Sequence, residues 1–255
     1  MNLPWRVKAF IVFLAVLCLV SLAFAARVVS PPSVNEVAIF FILSILAVLA
    51  EIYATWIPPY KMEMSSSIAT YLAALFILGP SLAVFLVFGT CLLSELVLRW
   101  DRLKEGRMQF VTPVVFNVSQ FTVAITVTGL VLTLSGHQRL LLQEFNHYPL
   151  AIAAFISYLL LNLSLVTEIV SLAEGKSFFY LLWKRLREFS IQNLALGVLA
   201  LLLVVLYSIS IWHIFLVLFP LILVHVSFRS YMRLQTETRK TFEKISRILD
   251  ERDHY

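Results

Sequence analysis

Residues 66–98 read SSIATYLAALFILGPSLAVFLVFGTCLLSELVL, and this stretch decides how the chain folds. It holds two apolar runs, Ser66–Leu78 and Leu82–Leu98, which are separated by Gly79-Pro80 and one serine. Proline lacks a backbone N–H and disfavours helical conformation in the residue before it. One helix over these residues would span about 50 Å at 1.5 Å per residue, whereas the bilayer core is about 30 Å thick. The stretch therefore predicts a tight hairpin of two helices.

Apolar runs of the same kind occupy most of the chain. Hydrophobic residues make up 60% of its 255 residues and charged residues only 14%. A soluble domain of this size needs more polar surface, and the runs lack the apolar–polar alternation of a membrane β-barrel. The sequence predicts an all-α, polytopic transmembrane bundle over residues 1–228, with about eight crossings. These are Phe10–Ala26, Val37–Tyr53, Ser66–Leu78, Leu82–Leu98, Val111–Leu134, Leu150–Leu172, Ile191–Tyr207 and Ile211–Val226.

The basic residues support this count and predict an orientation. With eight crossings, all of the 20 Lys and Arg residues except Arg27 and Arg139 lie on one side. Basic loops stay in the cytoplasm, so we expect both termini to be cytoplasmic. The net charge of +5 then reflects topology and contact with membrane lipids, and not nucleic-acid binding. Arg6, Lys8 and Ala23-Phe24-Ala25 also fit a cleavable signal peptide, but seven further runs favour a retained first helix.

The cysteines and histidines give no pattern for a metal or cofactor. Cys18 and Cys91 each lie inside an apolar run, where cysteine usually acts as a small buried hydrophobe and not as half of a disulfide. The five histidines are scattered, without the spacing of a ligand set. We therefore predict no metal and no cofactor.

Polar residues inside the predicted crossings mark a candidate ligand pocket. Ionisable and amide groups are costly in a membrane, so their positions are informative. Glu95, Asn117 and Gln120 lie near the cytoplasmic ends of their helices, and Asn162 lies near mid-membrane. We predict that these four shape a polar pocket, open toward the cytoplasmic half, for an unknown small or lipophilic ligand.

A structural role for these residues is an open alternative. Glu95 can pair with Arg99 four residues on, Glu51 can reach the interface, and the amides can hydrogen-bond between helices. The outer half of the predicted bundle is almost entirely Leu, Val, Ile, Phe and Ala. We expect few partners there for a polar solute captured from outside.

Residues 177–190, SFFYLLWKRLREFS, mix aromatic and basic side chains. This composition favours an amphipathic helix lying in the cytoplasmic interface. Its predicted lipid anchors are Trp183, Lys184, Arg185 and Arg187. A plain connection between two crossings is the alternative.

Residues 229–255 change abruptly to a charged sequence without Gly or Pro. They should continue the last crossing as a cytoplasmic helix. Apolar residues and threonines recur at spacings of three and four, as in a parallel coiled coil. This seam predicts a homodimer that transmits a signal through Leu234, Thr238, Thr241, Ile245 and Ile248. A helix packed on another domain, or a solvated tail, is the alternative.

Two stretches resemble parts of a known signalling family. Ser65–Thr70 followed by Leu78–Ala83, then Ser94-Glu95-Leu96, the basic Arg99–Arg107 and Phe116-Asn117 with Gln120, resemble integral-membrane (MASE-type) sensor modules. Those modules precede cyclic-di-GMP enzymes, and Glu95 stands where an Asp is expected. Separately, Thr241–Tyr255 (TFEKISRILDERDHY) resembles the helix that opens HD-GYP phosphodiesterase domains.

This resemblance implies a membrane-embedded sensory input module of the bacterial inner membrane. It would regulate an attached cyclic-di-GMP-turnover domain that begins beyond Tyr255, so we expect no catalytic residues in this chain. The alternative from another class is a small-solute permease or the substrate-binding subunit of a vitamin transporter. An intramembrane enzyme is disfavoured, because no crossing holds a nucleophile–base or metal-protease constellation.

Overall fold

A computed structural model describes residues 4–57, 62–100, 107–142 and 147–253 of the protein. Eight α-helices, two short strands and one 3-10 segment (Ile211–Val217) lie within these ranges. The antiparallel strands are β1 (Thr55–Ile57) and β2 (Met62–Met64). The helices are α1 (Trp5–Val28), α2 (Val34–Ile52), α3 (Ser67–Leu78), α4 (Pro80–Arg99), α5 (Arg107–Leu134), α6 (His147–Glu174), α7 (Phe178–Ile209) and α8 (Leu218–Asp253).

The protein is an all-α, polytopic bundle, as the sequence predicts. Within the described residues, seven helices are long and apolar enough to cross a membrane. The third predicted crossing is the exception to the count of eight, because α3 has only 12 residues and spans about 18 Å. It is too short to cross a bilayer core of about 30 Å by itself.

The predicted break between α3 and α4 is confirmed. α3 ends at Leu78 and α4 begins at Pro80. Gly79 between them has φ of +83°, a conformation that strains residues with a Cβ atom. Pro80 occupies the first turn of α4, where its missing N–H costs no hydrogen bond.

Contacts between helices define two ends of the bundle. At one end the start of α1 packs against the start of α5 and the end of α6, where Val7 and Ile11 lie in a cluster with Phe116. We call this the basic end, because Arg99 and Arg107 also lie there. At the other end Glu36 at the start of α2 pairs with Arg139, and we call it the Glu36 end.

Helix α3 lies at the centre of the bundle. Each of its 12 residues is buried, with exposure of 8% or less. Helices α2, α4, α5 and α7 pack against it. Its alanines, such as Ala73 and Ala74, allow the close approach of helix backbones on which packing in membranes depends. A short helix that cannot span the bilayer thus forms the core of the fold.

Two predictions about the C-terminal half have different outcomes. Residues 177–190 do not form a separate interfacial helix, because α7 runs without a break from Phe178 to Ile209. The predicted last crossing, Ile211–Val226, begins as the 3-10 segment Ile211–Val217. Its continuation as a helix is confirmed as far as Asp253, since α8 is one helix from Leu218 to Asp253. The two cysteines, Cys18 and Cys91, are free and buried, as expected of small apolar side chains.

Candidate functional site

The four residues of the predicted polar pocket bond to neighbouring polar groups near the basic end. Glu95 forms an ion pair with Arg99, and both side chains are buried. Nδ2 of Asn117 donates to Oε1 of Glu95 at 2.7 Å. The carboxylate of α4 is thus bonded both to its own helix and to α5.

The other two predicted residues form a second, separate link. Nε2 of Gln120 donates to Oδ1 of Asn162 at 2.6 Å, and both residues are buried. This bond joins α5 to α6. Hydrogen bonds of this kind hold helices together in membranes. The arrangement is the structural alternative named above, and the ligand-binding role of these residues stays a prediction.

Glu51 lies inside the bundle and not at the interface, which the structural alternative had allowed. It is 8% exposed, and its Oε1 accepts hydrogen bonds from Oγ of Ser67 and, at 3.2 Å, from the hydroxyl of Tyr71. Oγ of Ser65 donates to the carbonyl of Ala50 at 3.0 Å. The end of α2 is therefore tied to the start of α3 by side-chain bonds inside the bundle.

A cavity of about 130 Å³ opens at the Glu36 end. Helices α1, α2 and α5, the α3–α4 turn and residues 138–139 form its wall. Apolar side chains cover much of it, and among the described residues its charged side chains are Glu36 and Arg139. None of the four residues of the predicted pocket lines this cavity. Its lining includes Ser21, Phe24, Val28, Glu36, Leu78, Gly79, Pro80, Leu82, Thr126, Gly129, Leu130, Thr133, Gln138 and Arg139.

Glu36 and Arg139 form an ion pair at the wall of this cavity. The backbone N–H of Ser33 donates to Oε2 of Glu36 at 2.6 Å, and the N–H of Glu36 donates to Oγ of Ser33 at 3.3 Å. This reciprocal pair is a capping box, which satisfies free donors at the start of α2. The capping box thus positions the Glu36 carboxylate through residues three apart in the sequence, without a contribution from Arg139.

Arg139 reaches Glu36 because its segment folds back over the α3–α4 turn. The N–H of Leu140 donates to the carbonyl of Phe76 at 2.8 Å, which satisfies an acceptor in the last turn of α3. A Cβ atom on Gly79 would lie 2.8 Å from the carbonyl oxygen of Gln138. Glycine at this position is what allows the two backbones to approach.

The Glu36 end corrects the expectation of few polar partners away from the basic end. The sequence held two signals for it. Ser33 followed three residues later by Glu36 is the pattern of a capping box, and Arg139 is one of only two basic residues outside the predicted cytoplasmic side. Neither signal shows that the two side chains meet, because residues 36 and 139 are brought together only by the return of the chain over α3.

The four predicted lipid anchors divide between two faces of α7. Trp183, Lys184 and Arg187 are exposed, whereas Arg185 is only 3% exposed and faces the bundle. Arg185 as a lipid anchor is therefore wrong, because its position on the helix turns it inward. Just before α7, Nζ of Lys176 donates to Glu174 at 2.6 Å, and this hydrogen bond raises the pKa of Lys176 above its ordinary value.

The predicted seam of α8 is exposed in the single chain. Leu234, Ile245 and Ile248 have exposures of 64%, 48% and 63%. Thr238 and Thr241 on the same stripe are also exposed. Two stretches used in the sequence analysis are only partly described. Residues 101–106 of the basic stretch Arg99–Arg107 and residues 254–255 at the end of Thr241–Tyr255 lie outside the described residues.

Comparisons of the chain with models of known protein families, with curated proteins and with solved structures find no match. Any proposal about function must therefore start from the geometry of the protein: a closed core around α3, a cavity at the Glu36 end, and a long exposed helix at the basic end.

Proposed function

We propose that the protein is a multi-pass sensory module of a bacterial inner membrane that passes a signal to a cytoplasmic cyclic-di-GMP-turnover domain. The observation that carries this proposal is the continuity of α8, which has 36 residues without a break. Residues 227–253 extend the helix by about 40 Å past its apolar beginning. A rotation or shift of the membrane part would be transmitted along such a helix.

The packing of α8 supports its role as the moving part. The helix contacts α7 and the 3-10 segment, and Leu221 is its buried apolar residue among those described. Phe219, Ile222 and Leu223 are each more than half exposed. An element with few buried apolar contacts has low local stability, and moving elements are drawn from that class.

The proposal includes a homodimer formed through α8. Apolar residues at spacings of three and four on an exposed helix are buried when a second helix packs against them. A parallel pair would place Leu234 and Ile245 against the same residues of the second copy. Lipids would surround the bundle, with Trp183 and Lys184 at the cytoplasmic interface. Both termini would then be cytoplasmic.

An insertion experiment tests the transmitting role. A cyclic-di-GMP phosphodiesterase domain of HD-GYP type is joined after Tyr255, and turnover is measured in membranes. Duplicating residues 234–240 adds one heptad and rotates the output by about 20°, whereas duplicating residues 238–240 rotates it by about 60°. We expect the heptad insertion to preserve activity within about twofold and the three-residue insertion to change it at least about fivefold.

The heptad insertion is the matched control, because it lengthens the helix more but rotates it less. Equal activities of both insertions and the parent would show that α8 is only a tether. In that case the sensory proposal fails.

A second candidate function, a small-solute permease, is favoured by the cavity at the Glu36 end. If the basic end is cytoplasmic, this cavity opens toward the outside, where a permease would receive its solute. If the protein is a permease, sealed vesicles that contain the isolated chain should accumulate a solute faster than vesicles without it, which control for passive leak. A sensor predicts binding without accumulation, so the two functions are separated by one transport assay.

A further inference from the structure

We infer that the cavity at the Glu36 end binds a small alkyl carboxylate, whose anionic group pairs with Arg139 and whose alkyl part lies against the apolar wall. This inference rests on the proposed function, since it names the class of input that the sensor would recognise. It goes beyond that function because the site and its ligand class stand on the cavity's own geometry.

The exposure of the two charged groups favours an anion over a cation. Oε2 of Glu36 accepts a hydrogen bond from the Ser33 N–H, and Oε1 faces Arg139 in the ion pair. The Glu36 side chain is 11% exposed, whereas that of Arg139 is 47% exposed. A guanidinium has five N–H donors in a planar fork that suits a carboxylate. The unused binding capacity of the pair therefore lies on Arg139.

The size and wall of the cavity favour a short alkyl chain. A cavity of about 130 Å³ is close to the engineered cavity of about 150 Å³ that binds benzene in another protein, so it suits a ligand with about six carbon atoms. Phe24, Leu78, Leu82 and Leu130 supply its apolar surface. A ligand with one charged end and an apolar body matches the described part of the wall, where Arg139 supplies a cation beside several hydrocarbon side chains.

The walls of the cavity connect the ligand to the core. The segment that carries Arg139 is bonded to α3 through the Leu140 N–H and the Phe76 carbonyl. Helix α3 packs against α7, which contacts α8. A carboxylate that draws Arg139 away from Glu36 would therefore act on a segment bonded directly to the central helix.

Direct binding to the purified chain in lipid nanodiscs tests the assignment. The probes are hexanoate, the matched cation hexylamine and the neutral hexanamide, each titrated by calorimetry. We expect hexanoate to bind at least about tenfold more tightly than hexylamine or hexanamide, because a charge-assisted bond to Arg139 is available only to the anion.

Two variants should change hexanoate affinity in opposite directions, and a third should leave it unchanged. Arg139→Gln removes the cation, and we expect hexanoate affinity to fall at least about tenfold. Glu36→Gln removes a like charge beside the ligand but keeps an acceptor for the capping box, so hexanoate should bind about threefold more tightly or better. Arg27→Gln is the matched control, since Arg27 is exposed and does not line the cavity, and it should leave binding unchanged.

Each contrary result overturns the assignment. Equal binding of hexanoate and hexylamine would indicate a merely apolar site, and unchanged affinity in Arg139→Gln would remove the proposed contact. Tighter binding of 6-aminohexanoate than hexanoate, lost in Glu36→Gln, would indicate a zwitterion site instead. Thermal unfolding of each variant in nanodiscs shows whether it is folded, and Arg139→Lys, which keeps the charge, should recover part of the affinity if Arg139→Gln unfolds.

The source of the carboxylate is distinguished by a second titration. Hexanoate from the aqueous phase and palmitate supplied in the bilayer share the same head group. Binding of hexanoate that depends on Arg139 supports the assignment and identifies a soluble source. Binding of palmitate but not of hexanoate would overturn the short-chain assignment and indicate a membrane-borne lipid instead. Because binding is measured without an output domain, it can succeed when the insertion experiment on α8 fails, and the reverse also holds.

Discussion

Helices α3 and α8 are opposites in length, packing and surroundings. α3 has 12 residues and all of them are buried, whereas α8 has 36 residues and most of those with a described side chain are exposed. Helices surround α3, while α8 contacts α7 and the 3-10 segment. The difference indicates that the bundle combines a closed core with one lightly held helix that leaves it, which is the division a transmitter of conformational change requires.

The two helices should differ most in how much the free energy of unfolding falls when a leucine in each is replaced by alanine. Leu72 in α3 is fully buried and Leu234 in α8 is 64% exposed. Leu72→Ala leaves a cavity in the core, so we expect the free energy of unfolding to fall by about 2–5 kcal/mol. Leu234→Ala should change it by less than about 0.5 kcal/mol in the monomer.

Denaturation in mixed micelles at low protein concentration measures both values. Similar losses for the two variants would contradict the division into a tight core and a loose helix.

The rigid core should extend to the α3–α4 turn. A Cβ atom on Gly129 in α5 would lie 2.8 Å from Cβ of Pro80, whereas a Cβ atom on Gly89 in α4 meets nothing within 4 Å. We expect Gly129→Ala to destabilise the protein by about 1–3 kcal/mol through overpacking. Gly89→Ala should be neutral or stabilise it by up to about 1 kcal/mol, because alanine favours helix over glycine.

Thermal shifts of the two glycine variants provide the comparison. Equal shifts would mean that the contact between α5 and the α3–α4 turn is not tight.

The link between Gln120 and Asn162 should be weaker than core packing. A double-mutant cycle with Gln120→Leu and Asn162→Leu isolates their interaction. We expect a coupling energy of about 0.6 kcal/mol and no more than about 1.7 kcal/mol, the average and the maximum for side-chain hydrogen bonds between membrane helices. A coupling energy near zero would show that the 2.6 Å contact contributes nothing, and the case for these residues as helix–helix bonds would be lost.

The smallest effect should come from the surface of α8. Arg233 and Glu237 form an ion pair in which both side chains are more than half exposed. Arg233→Gln should lower the local opening free energy of α8 by no more than about 0.3–0.5 kcal/mol, because water and salt screen such pairs. Hydrogen exchange of residues 229–240 at low and high salt measures this local opening free energy. If Arg233→Gln still lowers it at 1 M salt, the effect is not due to a screened ion pair.

Much of the fold is predictable because it follows from local rules. Gly79-Pro80 ends α3 and begins α4, and residues 221–253, which contain no Gly or Pro, continue α8 without a break beyond Pro220. The central place of α3 is a different matter. In a membrane, the sequence SIATYLAALFIL is equally suited to contact with lipid or with other helices, because lipid is as apolar as leucine. Burial on all sides of α3 therefore leaves no mark in hydropathy.

The site residues divide in the same way. Glu95 and Arg99 are four residues apart on one helix, so their pairing follows from helix geometry. Glu36 and Arg139 are brought together only by the fold, and sequence spacing gives no indication of their contact. Arg185 is buried although its neighbours Lys184 and Arg187 are exposed. A charge pattern does not predict this difference, because the rotation of α7 about its axis is set by packing against other helices.

The proposed function requires that α8 leaves the membrane as one helix and pairs with a second copy along its seam. Single cysteines at Leu234, Thr238, Thr241 and Ile245, with Lys240 and Glu243 as positions off the seam, test it most directly in a Cys18→Ala/Cys91→Ala background. The account predicts rapid disulfide dimers at the four seam positions and slow ones at the other two, repeating every three or four residues. Uniform crosslinking at all six positions, or none at any, would contradict it.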